Sequence, residues 1–231
     1  MQKPLTLREW QGMFNRIFEQ RNAKVPLTDI WLHLMEEAGE VAEDLRKEDF
    51  RALAQDLPDV FAWLCAFANK FGVELDEIVW EKFPAICPYC EREARCICIA
   101  DSYPKYDPTR LVDYRRQVDK KPRTLDEWQG MFQTIYGNVN KIVPRFGIGF
   151  HLMEEIGEVA REIRYGNREN CKAELADVFA WIIAIVMKVQ ADFESFSLAE
   201  SLWKTYPGIC KVCKNERCTC EVRPTLRGPK E

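Results

Sequence analysis

The sequence has no excess of basic charge, no apolar stretch of membrane length and no alternating strand pattern, and each absence removes a class of function. With 33 Lys and Arg against 37 Asp and Glu, the net charge is -4. No global positive field is offered to a phosphate backbone, so nucleic acid is not an expected partner. The longest apolar run, Val178 to Met187, stops at Lys188. It is about half the length needed to span a bilayer, so no membrane is expected either. The opening MQKPLTLREW carries Lys3, Arg8 and Glu9 and no apolar h-region. No secretory signal is read there, and a cytoplasmic location with reduced thiols is expected. What remains, 231 residues that are 47% hydrophobic and 30% charged, suits one large domain or two of about 110 residues.

The chain repeats itself. Lys3 to Phe14, KPLTLREWQGMF, returns as Lys121 to Phe132, KPRTLDEWQGMF; His33 to Ala42 returns as His151 to Ala160; DVFAW at Asp59 to Trp63 returns at Asp177 to Trp181. The offset is 118 in all three blocks, and after a small insertion Trp80 to Cys90 matches Trp203 to Cys213. A period of a full domain length means a duplicated domain rather than a solenoid. The expected division is a first domain over 1–98, a linker over 99–120 rich in Pro, Tyr and charge, and a second domain over 121–231. The basic run Arg115, Arg116, Lys120, Lys121, Arg123 is read as a charged linker.

Within each copy the apolar spacing is helical. Thr6-Leu7-Arg8-Glu9 and Thr124-Leu125-Asp126-Glu127 fit capping boxes that open helices. Trp10, Met13, Phe14 and Ile17 follow at i, i+3, i+4 and i+7. A second helix is expected over about Ile30 to Arg46, and a third, apolar nearly all round, over about Leu53 to Lys70. A short fourth leads to Trp80. The expected fold is all-α: two tandem homologous helical bundles packed as a pseudo-dimer.

Acids interrupt this pattern in an ordered way. At about 100° per residue, His33, Glu37, Glu40 and Asp44 share one stripe of the second helix, and His151, Glu155, Glu158 and Glu162 repeat it. The third helix adds Asp56 and Asp59, repeated as Glu174 and Asp177. Such acids repel one another on one face, and buried without partners they are costly. A divalent cation would neutralise them, and all-oxygen ligands suit Mg²⁺ or Mn²⁺. His33 and His151 have two readings, a substrate-facing role or a core histidine bonded to its own i+4 glutamate. Trp10, Trp128, Phe18 and Tyr136 likewise suit either core packing or a base pocket.

Eight of the ten cysteines fall in two clusters, Cys87-x2-Cys90-x5-Cys96-x-Cys98 and Cys210-x2-Cys213-x4-Cys218-x-Cys220. Four thiolates so close together match a closed tetrahedral site, so each bundle is expected to end in a structural zinc knuckle (87–98 and 210–220), with two Zn²⁺ per chain. An iron–sulfur cluster uses the same ligands and stays open as an alternative. Cys65 and Cys171 have no counterparts in the other copy and read as packing residues.

Glu154-Glu155-x-x-Glu158 followed by Glu174-x-x-Asp177 resembles the EExxE…ExxD signature of the MazG-like, all-α nucleoside-triphosphate pyrophosphatases. Glu36-Glu37-x-x-Glu40 with Asp56-x-x-Asp59 resembles it with one substitution. The resemblance implies Mg²⁺-dependent cleavage of the α–β phosphate bond of an NTP or dNTP, giving the monophosphate and pyrophosphate. It implies that Glu155, Glu158, Glu174 and Asp177 hold the metal, with Glu37, Glu40, Asp56 and Asp59 as the first-copy set. Glu154 would then be a supporting acid or orient water. It also implies dimers or larger assemblies, met here by the two copies or by a homo-oligomer. A Lys and an Arg that many members carry after the third helix have no aligned match, because Lys82 and Lys204 stand out of register. Asp56 is a methylene shorter than Glu174, and Pro58 stands where the second copy has Ala176. The first copy's third helix, which holds Pro58, is expected to kink or begin there, leaving the first site weak or regulatory. The competing class is a zinc-stabilised helical module that senses nucleotides or binds a partner without catalysis.

Overall fold

A computed structural model describes residues 2–98 and 106–221. Among them are nine α-helices: α1 (Leu7–Asn22), α2 (Leu27–Lys47), α3 (Phe50–Phe71), α4 (Leu75–Lys82), α5 (Val112–Arg115), α6 (Leu125–Ile142), α7 (Arg145–Tyr165), α8 (Arg168–Asp192) and α9 (Leu198–Thr205). No helix among the described residues is long and apolar enough to cross a membrane.

Both expected capping boxes are present. Thr6 Oγ1 accepts from the Glu9 N–H and Thr124 Oγ1 from that of Glu127, while each glutamate reaches back to its cap residue. The two caps lie side by side, with Leu7 N donating to Arg123 O at 3.0 Å. The α2–α3 and α7–α8 corners close on left-handed residues at equivalent positions, Glu48 (φ 56°) and Gly166 (φ 68°). Asp49 and Asn167 then cap α3 and α8.

α3 and α8 form the centre and meet through Phe61 and Phe179, whose ring centroids are 6.4 Å apart. α2 crosses α7 closely. A Cβ on Gly149 would lie 3.1 Å from Leu45 Cδ1, and Trp31 Nε1 donates to Ile156 O at 2.9 Å. The C-terminal pieces of the halves are exchanged. α4 packs on α8 and α9 on α3; Phe83 meets Phe132 at 5.2 Å and Tyr206 meets Phe14 at 5.3 Å. The cysteine segments follow, with Cys96 N donating to Ile135 O and Cys218 N to Ile17 O, both at 2.7 Å. Ile17 and Ile135 are equivalent residues, so the exchange is reciprocal.

The stretch read as a linker carries short helical turns at Pro108–Leu111, Val112–Arg115 and Val118–Lys120. Four of the five residues of its basic run are paired: Arg115 with Glu81 O and Tyr106, Arg116 with Asp113, Lys120 with Glu93, Lys121 with Asp76 and Glu77. Residues 99–105 and 222–231 lie outside the described residues. Cys65 and Cys171 are buried in the core, as packing residues should be.

Pro58 neither begins nor ends a helix; α3 runs through it from Phe50 to Phe71. The residue lacks the N–H that would bond Ala54 O, and an unmet carbonyl inside a helix is the usual source of disruption. Here Ser201 Oγ, from α9 of the other half, donates to Ala54 O at 2.8 Å. The exchanged helix therefore supplies the missing donor. Ser201→Ala should cost about 1–3 kcal/mol by leaving that carbonyl unmet. In a Pro58→Ala background, the restored N–H should reduce that cost to under about 0.5 kcal/mol. A denaturant-unfolding double-mutant cycle measures the difference, and equal costs in both backgrounds would refute the compensation.

Candidate active site

The second-half acids converge. α7 presents Glu155 and Glu158 one turn apart, α8 presents Glu174, and one oxygen of each lies within 4.8 Å of the others. No such carboxylate group gathers in the first half among the described residues. Asp177, next along α8 and only 8% exposed, is paired with Lys82 of the exchanged helix α4. Lys82 is itself 3% exposed, also donates to Ala173 O at 3.3 Å, and lies 4.9 Å from the Tyr106 ring centroid. Burial works against the ammonium, but Asp177 and Glu174 raise its pKa overall and keep it charged.

Arg161 is the second cation. Its guanidinium bonds Glu158 and Glu162 at 2.8 Å each and stands 3.8 Å from Glu174. The first half has Glu43 at this position, and Glu43 turns outward to Lys47. Arg161 therefore gives Glu162 an ion-pair partner, whereas no ion pair is made by its counterpart Asp44 among the described residues. Burial and a hydrogen bond with Asp56 push Asp44 up to about 6, and its Oδ2 has no partner. Asp56, the shorter acid, lies near enough to Asp44 to raise it, and it forms no carboxylate trio with Glu37 and Glu40 among the described residues. Asp59 is held by the Tyr206 hydroxyl and by Lys211, both from the second half's tail.

Lys82 and Lys211 are not equivalent residues, since the repeat sets Lys82 against Thr205 and Lys211 against Pro88. Each half obtains its lysine from the other, at a different position. Lys204, the other out-of-register lysine, is exposed on the rim of a wide groove of about 910 Å³ beside Asp56 and Asp59.

The histidines are neither core residues nor bonded at i+4. His151 Nδ1 lies 2.9 Å from Glu154 Oε2 and His33 Nδ1 lies 2.8 Å from Glu36 Oε2, both at i+3. Each imidazole stacks at 4.5 Å on a tryptophan, His151 on Trp181 and His33 on Trp63. Trp181 Nε1 in turn donates to Glu155 Oε1 at 3.2 Å. Reading the sequence did not single out these tryptophans. The available signal was the DVFAW repeat, which sets Trp181 one turn after Asp177 on the same face. Of the four aromatics considered, Trp10 and Trp128 are wholly buried core, while Tyr136 and Phe18 line cavities.

Those cavities sit where each exchanged tail covers the other half. The second-half cavity, about 210 Å³, is bounded by Glu155, Asp177, Trp181, Tyr136, Phe83, Tyr89 and Asn140, with Cys87, Cys96 and Cys98 on one wall. The equivalent first-half cavity holds about 110 Å³ between Phe18, Trp63, Tyr206 and Lys211, with Arg21 in it.

Each cysteine cluster gathers four reduced thiols. Sγ separations in the first are 3.5 Å (Cys87–Cys96), 3.8 Å (Cys87–Cys98) and 3.8 Å (Cys90–Cys96), and Cys210–Cys220 is 3.9 Å. Four sulfurs at about 2.3 Å from one ion would stand about 3.8 Å apart. Both clusters could hold zinc. The Cys96 hydrogen bond lowers Cys87 to about 5, and backbone hydrogen bonds from Thr219 and Asn215 lower Cys213 to about 6. The hydrogen bond to Cys87 raises Cys96, and burial raises Cys98, Cys218 and Cys220, so one sulfur of each cluster is favoured as a thiolate before any metal binds.

The carboxylate trio equally fits a hard divalent cation. Burial, then Asp177, raises Glu155 to about 8; burial, then Asp177 and Glu158 against the opposing pull of Lys82, raises Glu174 to about 7. Near neutral pH both are partly protonated, and a cation binds only their ionised forms. Mn²⁺ binding to the whole chain should therefore release protons at pH 7, and apparent affinity should fall as pH drops from 8 to 6. Calorimetry in two buffers of unlike ionisation enthalpy reads the release directly. Identical heats in both would show that these carboxyls are not the ligands.

The model of the MazG nucleotide pyrophosphohydrolase domain matches residues 27–90 and 148–206. No curated protein and no solved structure matches the chain. The two matched segments take in α2 to α4 and most of α7 with α8 and α9, and hence the candidate site acids of both halves. Together they cover more than half of the sequence, and the chain belongs to the MazG nucleotide pyrophosphohydrolase family, whose domain it carries twice.

Proposed function

We propose that the protein is a pyrophosphohydrolase of nucleoside triphosphates, NTP or dNTP, and that the Glu155, Glu158, Glu174 group of the second half carries the reaction. The observation behind this is the convergence of three partly buried carboxylates within 4.8 Å, which the first half does not repeat among the described residues. Glu155, Glu158 and Glu174 would hold Mg²⁺ or Mn²⁺, with Asp177 behind them fixed by Lys82. The cation supplies neutralisation of phosphate charge and acidification of water. Arg161 adds positive charge beside Glu158 and Glu174, where triphosphate oxygens must approach, while the buried Lys82 offsets Asp177 from behind. Glu154 is exposed beside the trio with Oε2 set by His151, and it orients the attacking water and accepts its proton. Water oxygen adds to phosphorus as the α–β bridging bond breaks, and the products are a nucleoside monophosphate and pyrophosphate.

The two halves act as an intrachain pseudo-dimer, because each covers the other's acids with its own tail. The first-half set of Glu37, Glu40, Asp56 and Asp59 is weak or regulatory in this reading. Its Glu37 is raised to about 7 by burial and by Asp59, but Asp56 forms no carboxylate trio with Glu37 and Glu40 among the described residues. Both cysteine clusters hold structural zinc, closed sites without an open coordination position.

Incubation with Mg²⁺ and a panel of NTPs and dNTPs should give monophosphate and pyrophosphate, separable by ion-exchange chromatography. Glu155→Gln should reduce turnover by at least about a hundredfold while the far-ultraviolet dichroism stays helical. Glu158→Gln should reduce turnover far more than Glu40→Gln, and equal losses would remove the asymmetry. Release of diphosphate and orthophosphate would overturn the reaction assigned. Protein purified without added metal should carry two zinc ions per chain by elemental analysis, and iron with strong visible absorbance would replace zinc by clusters.

A further inference from the structure

The two halves enclose equivalent slots with different contents. Phe18 and Trp63 in the first correspond to Tyr136 and Trp181 in the second, and Asn22, next to Arg21, corresponds to Asn140. In the first slot the Arg21 guanidinium lies 4.6 Å from the Phe18 ring centroid and 4.8 Å from that of Trp63. Its Nε donates to Asn22 Oδ1 at 3.2 Å. A flat, delocalised group with N–H edges thus rests against two aromatic rings and bonds the neighbouring amide. The counterpart of Arg21 is Val139, whose short side chain leaves the second slot wider, about 210 Å³ against 110 Å³. Asn140 lines that cavity while only 8% exposed, and its amide has no hydrogen-bond partner among the described residues. Trp181 is fixed by the His151 stack and the Glu155 bond, so one wall is already set in place.

We infer that Arg21 is an internal occupant of the first slot, standing where the second slot takes a planar nitrogen-bearing aromatic ring, so that each chain offers one open nucleobase site. Stacking on Trp181 and Tyr136 supplies affinity that every base can use, and the Asn140 amide supplies an edge contact that discriminates among bases. Glu155 lies in the wall of the same cavity, which puts a nucleoside bound there beside the carboxylate trio. That last link rests on the reading of the trio as the triphosphate site.

The test is a pair of reciprocal substitutions in the full chain, Arg21→Val and Val139→Arg, followed by equilibrium dialysis with α,β-methylene nucleoside triphosphates and with the corresponding nucleosides. The unaltered chain should bind one analogue. Arg21→Val should add a second, weaker site, and Val139→Arg should weaken the first by at least about tenfold. Thermal melting establishes that each variant is folded; should Val139→Arg not fold, Arg21→Val decides alone. A stoichiometry that stays at one in Arg21→Val, or full binding in a folded Val139→Arg, overturns the inference. The two readings fail separately. If the nucleosides follow Arg21 and Val139 but no triphosphate is cleaved, the slot stands and the pyrophosphohydrolase reading falls. If cleavage proceeds and neither substitution alters binding, the reverse holds.

Discussion

Two carboxylates in the middle of an apolar helical core set the terms for the whole molecule. Asp59 and Asp177 lie on the central helices α3 and α8 with less than a tenth of their surface exposed, and an unpaired charge there is not tolerable. The nearest sequence neighbours cannot help, because α3 and α8 are apolar around them. The cations come from the far side of the chain: Lys82 reaches Asp177, while Lys211 with the Tyr206 hydroxyl reaches Asp59. Each is carried on the tail of the opposite half. Exchange of the tails is therefore tied to charge burial as well as to apolar packing. Losing one lysine would leave its aspartate buried and bare, an outcome costing about 3–5 kcal/mol.

The duplicated halves solve this shared problem at different positions, and the difference spreads. Lys82 sits at the end of a helix, and Lys211 inside the second cysteine segment. Arg161 braces the second-half acids, whereas Glu43 turns to Lys47 and leaves Asp44 Oδ2 without a partner. Glu174 has the reach to join Glu155 and Glu158, and Asp56 does not. The outcome is one-sided: a carboxylate trio gathers in the second half, steadied by Arg161, and none gathers in the first among the described residues. Selection for a single working metal site would produce this one-sided pattern, while the first half retains its role as the scaffold that delivers Lys82.

Much of this was legible in the residues. The repeat, the capping boxes, the acid stripes and the cysteine clusters are local features with fixed spacing, and the structure shows helices and clusters where they indicated. The parts that escaped depend on contacts far apart in sequence. Pro58 signals a break only if Ala54 O has no other donor, and Ser201 is 147 positions away. Lys82 looks out of register because the repeat alignment compares it with Thr205, yet its partner is in the other half. Trp181 could have been found from its position one turn beyond Asp177. The i+3 choice of His151 could not, because its stacking on Trp181 from a neighbouring helix turns the ring toward Glu154.

The cysteine segments belong to the same constraint. The first supplies Tyr89 and three sulfurs to one wall of the second-half cavity, and among the described residues its backbone is anchored on α6 by the Arg95 and Cys96 N–H groups, bonded to Thr134 O and Ile135 O, with Asn138 returning a bond to Cys96 O. Those helical carbonyls already accept within α6, so the added bonds alone are a weak fastening. A metal closing Cys87, Cys90, Cys96 and Cys98 would make the segment a single rigid unit, converting several marginal contacts into one cooperative one. The end of α4 is then held where Lys82 must be to meet Asp177. Closed in that way, the segment would both wall the second-half cavity and fix the lysine that makes a buried acidic site possible.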